Sequence, residues 1–120
     1  FFWLASRLDK IGVWSQAGRV ARLDFGGFWW AAVPRPHWPE IASIRSEIKK
    51  RWNDDVGDCR QELVFIGIGI DETKLGNSLQ ECLLTDEEMS LGVEAWKDLD
   101  DPFPQWNVKL EDVLTVSSEA

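Results

Sequence analysis

The 120-residue sequence predicts an α+β domain in which a mainly antiparallel sheet packs against two or three helices. Two observations support this prediction. Short apolar segments separated by glycine turns fill residues 1–33, and closely spaced strands of this kind usually pair antiparallel. After a proline-rich loop at 33–39, which suits neither helix nor central strand, helical and strand-like patterns alternate along the chain.

Four strands are expected in the first third of the chain, at 1–6, 12–16, 19–24 and 28–33. Residues 19–24 alternate between polar and apolar side chains, which is typical of a half-exposed strand. Trp29 and Trp30 are neighbours in the fourth expected strand. Because successive side chains of a strand alternate, these two rings should lie on opposite faces of the sheet.

A helix and then a strand are expected in the middle of the chain. Apolar residues recur every three or four positions in 40–52, which predicts an amphipathic helix. The clearest strand follows at 62–68 and is apolar on both faces. A strand of this kind is usually central and covered on both sides, so we expect Leu63, Phe65 and Ile66 in the core.

Further helices are predicted from their N-terminal caps. Asp71 precedes an apolar stripe at 72–84, and residues 85–88 match a capping box that begins a short third helix. Residues 107–120 could pack or fray, and the last four are expected to fray. The predicted domain is therefore 1–106, followed by a tail. Its last strand and flanking helices resemble half of a ferredoxin-like fold, an incomplete arrangement that lacks the opening strand and helix.

The net charge of −8 comes entirely from the last third of the chain. Residues 1–84 contain 11 basic and 11 acidic side chains, whereas residues 85–120 contain 2 and 10. A nucleic-acid partner requires a basic surface, so none is expected, and the acidic third is interpreted as a solvated surface. The chain has neither a targeting segment nor a long apolar run, so no membrane partner is expected. Its two cysteines are too few for a disulfide framework, and this favours a reducing, cytoplasmic location.

The sequence predicts no catalytic, cofactor-binding or metal-binding residue. A phosphate-binding glycine-rich loop ending in Gly-Lys-Ser or Gly-Lys-Thr is absent, so nucleotide binding by these residues is not expected. His37 is the one histidine and lies in the proline-rich loop. Cys59 and Cys82 are more than twenty residues from it and from each other, whereas metal ligands usually cluster.

The aromatic residues indicate a function more clearly than the candidate catalytic and metal-binding residues do. Phe2, Trp3, Trp29 and Trp30 would lie on both faces of the predicted sheet, and helices can cover one face. The candidate interface is therefore these four side chains, with a second copy of the chain as one possible partner. Alternatively, the chain's own tail completes the core and leaves no interface.

Three stretches of this sequence resemble a known family. Residues 1–7 read Phe-Phe-Trp-Leu-Ala-Ser-Arg, and Trp-Ser-Gln-Ala-Gly at 14–18 is followed by Gly-Phe-Trp-Trp-Ala at 27–31. Most specific is Gly-Asp-Cys-Arg-Gln-Glu-Leu-Val-Phe-Ile-Gly at 57–67. It is close to the Gly-Asp-Arg-Arg-Gln-Glu-Leu-Val-Phe-Ile-Gly signature of CobW C-terminal domains. The resemblance extends over 1–106, and its signature residues here are Gly57, Asp58, Arg60, Gln61 and Glu62.

The resemblance implies a domain that follows a GTPase of the metal-chaperone type, in proteins that handle zinc or cobalt or take part in cobalamin synthesis. GTP, magnesium and the metal would then bind in a GTPase domain absent from this chain. It also implies that a strand and a helix precede Phe1, so that the chain is a fragment. Cys59 stands where the family usually has arginine, which weakens any charge role at that position. A histidine-rich stretch, which some branches of the family have, is absent, and this argues against metal capture by this domain.

The expected function is a non-catalytic interaction and regulatory domain of a GTP-dependent metal chaperone. Its partners would be its own GTPase domain and a client protein that receives the metal. The alternative is a stand-alone protein-binding module or homodimer. A phosphate-binding loop encoded upstream of Phe1 would favour the first reading, and a start codon just before Phe1 would favour the second.

Overall fold

A two-stranded antiparallel hairpin is the centre of the fold in the computed structural model, which describes the backbone of residues 1–119 and the side chains of residues 1–114. Strand β1 (Lys10–Ala17) pairs with β2 (Val20–Phe28), and Trp14 lies opposite Leu23. Gly18 makes the turn with a φ of 61°, a backbone conformation that glycine adopts without steric cost. The hairpin confirms the second and third predicted strands, and with the helices it confirms the α+β class.

The first predicted strand is much shorter than expected. Phe2 exchanges two backbone hydrogen bonds with Gly12 of β1, at 2.9 and 2.8 Å. Phe1 exchanges two with Glu62, at 2.8 and 2.9 Å. The chain then turns into a 3-10 helix, Ala5–Arg7. Residues 1–2 therefore lie between β1 and the segment around Glu62, and the strand prediction for residues 5–6 is wrong.

The fourth predicted strand, 28–33, is also wrong. Strand β2 ends at Phe28, and a 3-10 helix, Trp30–Ala32, follows it. A second 3-10 helix, Arg35–His37, contains Pro36 of the connecting loop. Trp29 and Trp30 therefore lie at the start of a helical turn. Their rings do not alternate across a sheet, because no strand continues through them.

Five α-helices follow along the chain: α1 (Ala42–Lys50), α2 (Glu72–Glu81), α3 (Asp86–Leu91), α4 (Val93–Trp96) and α5 (Leu110–Glu119). The Asp71 carboxylate accepts the Lys74 amide at 3.0 Å and caps α2. Thr85 and Glu88 form the predicted capping box, which satisfies two amides at the start of α3. The first three predicted helices are confirmed, and α4 and α5 were not predicted. The fraying predicted for 117–120 lies outside the described residues, apart from the helical backbone up to Glu119.

The predicted central strand, residues 62–68, is wrong: this segment has no regular secondary structure, bends at Ile68 and lies on the surface. We call it the edge segment. Among the described residues, the backbone of 63–70 has no hydrogen-bonded partner in another segment. Leu63 is half-buried, but Phe65 is 38% exposed and Ile66 is 94% exposed. The prediction that Phe65 and Ile66 are core residues is therefore wrong. The physical reason is that, among the described residues, only Phe1 pairs with the backbone of this segment, at Glu62, so the segment has no neighbouring strand along its length.

Among the described residues, the buried apolar side chains come from the N-terminal segment, the residues after β2, the loop at Cys59 and helices α1 and α4. They are Phe2, Trp29, Trp38, Ile48, Cys59 and Trp96. Three tryptophans form a contact chain, because Trp38 packs against both Trp30 and Trp52 with ring centroids 6.3 and 5.7 Å apart. The Trp38 indole nitrogen donates to the Val33 carbonyl at 2.8 Å. The core is thus aromatic, and its polar ring atoms are hydrogen-bonded to the backbone.

Candidate interaction surface

The first two signature residues attach their loop to the 3-10 helix that begins at Trp30. The Asp58 carboxylate is buried and accepts the backbone amides of Trp30 and Ala31, at 2.9 and 2.8 Å. Gly57 has a φ of 69°, and a Cβ at this position would lie 2.4 Å from the Cβ of Ala31. Both the backbone conformation and the close approach therefore require glycine. Asp58 therefore caps the turn, and Gly57 allows the loop to approach it closely.

The next signature residues attach the N-terminal segment to the same loop. The Gln61 side-chain amide donates to the Trp3 carbonyl at 3.0 Å and accepts the Trp3 amide at 3.4 Å. The backbone of Glu62 pairs with Phe1, as described above. The Arg60 guanidinium lies over the Trp29 ring, 5.8 Å from its centre, and contacts the Glu62 carboxylate at 3.3 Å. The contacts of the signature are therefore contacts that hold the fold together.

The four aromatic candidates do not form one exposed patch. Phe2 and Trp29 are buried, and the Trp29 indole donates to the Lys10 carbonyl at 3.0 Å. Trp3 and Trp30 are half-buried. Trp3 packs against Trp96 with ring centroids 5.9 Å apart. As an interface, the set of four stays a prediction; in this structure Phe2 and Trp29 contribute to the core.

Among the described residues, the most exposed apolar side chains lie on the edge segment, which its apolar pattern predicts to be a core strand. Val64 is 83% exposed, Ile66 is 94% exposed, and Ile68 is fully exposed. The three residues are two positions apart along the segment, and Ile68 lies at its bend. We call these three side chains the apolar stripe. Strongly exposed apolar side chains that cluster on a surface usually mark an interaction site.

A groove of about 1100 Å³ separates the edge segment from β1. Trp14 and Gln16 line it on the β1 side, and Leu63, Val64 and Ile66 line it on the other. The Trp14 and Phe65 rings meet edge to face with centroids 5.6 Å apart. Helix α2 closes one end of the groove through Lys74, Leu75 and Ser78. No residue of 107–114, the described side chains of the predicted tail, lines it.

The two thiols differ in their environment. Cys59 is buried, and its Sγ donates to the Leu8 carbonyl at 3.4 Å. Burial raises the pKa of the Cys59 thiol to about 12, and the negative charge of Asp58 acts in the same direction. This thiol is therefore protonated near neutral pH, whereas metal ligation and nucleophilic attack require the thiolate. Cys82 is exposed at the end of α2.

The described residues contain neither a metal-ion cluster nor a helix that could span a membrane. No group of three or more His, Cys, Asp or Glu side chains in this part of the chain is placed to hold a metal ion. None of the helices in the same part is long and apolar enough to cross a bilayer. Where the metal binds and where the protein resides therefore stay predictions.

Residues 1–83 match the model of one protein family, the cobalamin synthesis protein cobW C-terminal domain. The chain belongs to this family. The matched range includes the hairpin, the signature loop, the edge segment and helix α2. The resemblance stated from the sequence is thereby confirmed.

Relatives of this CobW C-terminal domain are found among curated proteins. The chain is 40% identical over 114 residues to "Zinc-regulated GTPase metalloprotein activator 1" of Dictyostelium discoideum, a match that covers 93% of this chain and 23% of that protein. It is 30% identical over 111 residues to a zinc chaperone of Mycobacterium tuberculosis, covering 88% of this chain and 26% of that protein. The chain thus spans about a quarter of the length of these relatives. No solved structure matches it.

Proposed function

We propose that this chain is the non-catalytic interaction and regulatory domain of a GTP-dependent metal chaperone, acting with a GTPase domain in a longer chain. The apolar stripe, Val64, Ile66 and Ile68, is the observation that carries the proposal. A 40% identical relative is named as a zinc-regulated GTPase activator and a 30% identical one as a zinc chaperone. These names support zinc as the metal.

The chemistry of this domain supports a binding role, with GTP, magnesium and the metal bound elsewhere in the protein. The buried thiol of Cys59 is protonated, and the buried carboxylate of Asp58 is already bonded to two amides. Cys82 and His37 lie on separate elements. What the surface offers is apolar area, which suits docking onto a protein.

The stripe has the properties that a regulated contact requires. Complete burial of one valine or isoleucine side chain contributes roughly 1.5–3 kcal/mol. Three such side chains can offset a substantial part of the entropy lost when two domains dock. Asp58, Gln61 and Glu62 anchor the start of the edge segment to the core. We propose that the stripe docks on the GTPase domain in one nucleotide state and that the contact changes metal delivery to a client.

Replacing two residues of the apolar stripe in the full-length protein tests this proposal. Ile66→Asp and Ile68→Asp together should change GTP hydrolysis or zinc transfer by about fivefold or more, a typical coupling between two sites. Val20→Asp is the matched control, because Val20 is also apolar and 65% exposed, but lies at the start of β2. If the stripe variant and the control both keep the wild-type rates, the regulatory role is wrong.

The alternative is a stand-alone protein-binding module or homodimer, and the homodimer predicts a different result. The same stripe would then bury itself against a second copy. Sedimentation of the 120-residue chain would show a dimer that the Ile66→Asp, Ile68→Asp variant loses. A monomer at all concentrations would exclude the homodimer.

A further inference from the structure

A second groove, of about 630 Å³, lies between the N-terminal segment and the last third of the chain. Its walls are mainly residues 3–6, residues 81–84 at the end of α2, helix α3 and residues 99–100, and we call it the α3 groove. Within the described residues, it shares none of its lining with the groove beside β1. The family model ends at residue 83, so part of the wall lies beyond the matched range. The α3 groove is therefore formed jointly by the family domain and by the acidic residues that follow it.

Apolar side chains supply much of the wall of the α3 groove. They include Trp3, Leu4, Leu83, Leu84, Met89 and Leu99. Leu83 and Met89 are exposed to solvent. Their apolar area is therefore available for a partner to cover, and its coverage would favour binding.

Contacts between distant parts of the chain hold these walls in place. Trp3 packs against Trp96 with ring centroids 5.9 Å apart. The Trp96 indole nitrogen donates to the Glu88 carbonyl at 2.7 Å, which fixes α3 against α4. The Ser6 hydroxyl donates to the Asp101 carboxylate at 2.7 Å and so joins the first wall to the last. A groove that is formed before its partner arrives loses little conformational entropy on binding.

The charged side chains on the wall of the α3 groove are acidic. They are Glu81, Glu88 and Asp100, and no lysine or arginine of the described residues lines it. Glu88 belongs to the capping box of α3. Glu81 and Asp100 are exposed, and in the part of the chain that the structure describes neither carboxylate has a hydrogen-bonded or ion-paired partner. Two such carboxylates beside an apolar groove favour a cationic partner over an anionic one.

We propose that the α3 groove binds an amphipathic segment of another protein, one that presents apolar side chains flanked by lysine or arginine. The apolar side chains enter the groove, and the cations pair with the Glu81 and Asp100 carboxylates. A nucleic acid or an anionic membrane surface carries the wrong charge for this groove, and a second copy of the chain brings a net charge of −8. The α3 groove is separate from the apolar stripe, so this inference does not depend on the proposed function.

Binding of two synthetic peptides to the full-length protein tests the charge preference. Both peptides are short amphipathic helices with leucine on one face; the other face is lysine in one peptide and glutamate in the second. Fluorescence anisotropy should show saturable binding of the lysine peptide and at least about tenfold weaker binding of the glutamate peptide. No saturable binding of the lysine peptide, or equal affinities for the two peptides, would contradict the proposal.

Charge reversal shows whether the lysine peptide binds in the α3 groove. Glu81→Lys and Asp100→Lys together should weaken the lysine peptide at least about tenfold and strengthen the glutamate peptide, a gain that unfolding cannot produce. Asp54→Lys and Asp55→Lys are the control, because they change the net charge equally in the exposed loop before Gly57. They should leave both affinities within about twofold, since salt screens distant charges. Equal effects of the two double variants would mean that net charge alone attracts the peptide, and the proposal would be wrong.

Two neutral substitutions on α3 test the apolar contact. Met89→Gln should weaken binding of the lysine peptide about fivefold or more, because Met89 lines the groove. Leu91→Gln is the matched control: Leu91 is exposed on the same helix, but it is not part of the groove's lining. Equal affinities of the two variants would exclude binding in the groove. Sedimentation of the full-length protein that showed a dimer lost in Met89→Gln would mean that a second copy occupies the groove, which would also overturn the proposal.

Discussion

The Arg7 guanidinium and the Asp101 carboxylate form a two-point ion pair across the domain. Arg7 Nε donates to Oδ2 at 2.7 Å, and Nη2 donates to Oδ1 at 2.9 Å. Nη2 also donates to the Phe103 carbonyl at 2.7 Å, and the guanidinium stacks 4.6 Å from the centre of the Trp106 ring. Both charged side chains are largely buried. This pair attaches the acidic last third of the chain to the N-terminal segment.

The ion pair predicts acid sensitivity. The pKa of the Asp101 carboxyl lies below its ordinary value of 3.8: burial acts to raise it, but hydrogen bonds from Ser6, Arg7 and Phe103 outweigh that effect. Because the pKa is lower in the folded state, the pair stabilises the fold above the unfolded pKa. That contribution is lost as the pH falls through the folded pKa. Asp101→Asn should therefore lower the free energy of unfolding by about 3 kcal/mol at pH 7 and flatten its fall below about pH 4.

Urea titrations at several pH values measure this effect. Asp24→Asn is the control, because Asp24 pairs with Arg22 at 3.8 Å with both side chains more than half exposed. An exposed pair of this kind contributes less than about 1 kcal/mol. Equal losses in the two variants would contradict the role given to Asp101.

Removal of the Asp58 carboxylate should destabilise the domain. Asp58→Ala leaves the Trp30 and Ala31 amides without their acceptor in a buried position, which we expect to cost about 2–4 kcal/mol. Asp54→Ala in the same loop is exposed and should change stability by less than about 0.5 kcal/mol. Thermal or urea unfolding of the two variants gives the comparison, and a loss below about 1 kcal/mol for Asp58→Ala would show that the cap is dispensable.

Gly57 should tolerate no side chain. Gly57→Ala combines an unfavourable φ of 69° with a clash against the Ala31 Cβ. Gly69 has the same φ, but among the described residues no atom beyond its own chain neighbours lies within 4 Å of the position that a Cβ would take. Gly69→Ala therefore measures the backbone strain alone, about 1–2 kcal/mol. We expect Gly57→Ala to cost at least about 1 kcal/mol more than Gly69→Ala. Equal costs in urea titrations would mean that the loop moves freely away from the turn.

The exposure of two isoleucines distinguishes the core from the edge segment. Ile48 is 5% exposed and Ile66 is 94% exposed. Ile48→Ala should lower the free energy of unfolding of this chain by about 2–5 kcal/mol. Ile66→Ala should change it by less than about 0.5 kcal/mol. A large loss for Ile66→Ala in the 120-residue chain would show that the edge segment is covered in solution.

The two cysteines should differ in reactivity. Cys82 is exposed and should react with a thiol reagent at about pH 8 within minutes, whereas Cys59 should react only when the domain opens, because its thiol is buried and protonated. Labelling followed by mass spectrometry gives both rates, with Cys82→Ser as the control that isolates Cys59. Comparable rates for the two thiols would contradict the buried environment of Cys59.

Local signals determined a large part of this structure. The hairpin follows from short apolar segments around a glycine turn, and α1 and α2 follow from apolar residues three or four positions apart. The capping box at Thr85 and Glu88 involves residues three positions apart, so it can be read directly from the sequence. The signature at 57–67 also sufficed to indicate the family. In the hairpin, the helices and the capping box, the determining contacts join residues that are close along the chain.

Tertiary contacts decided the remainder. Trp29 and Trp30 have the composition of a strand, but the Asp58 carboxylate, 27 and 28 residues away from the two amides it accepts, holds the chain in a 3-10 turn. Residues 62–68 have the apolar pattern of a central strand, but a strand becomes buried only when neighbours cover it, and only Phe1 pairs with it among the described residues. Composition thus set which segments could be extended or helical. Hydrogen bonds between residues distant in the sequence decided which of those segments became paired, capped or exposed.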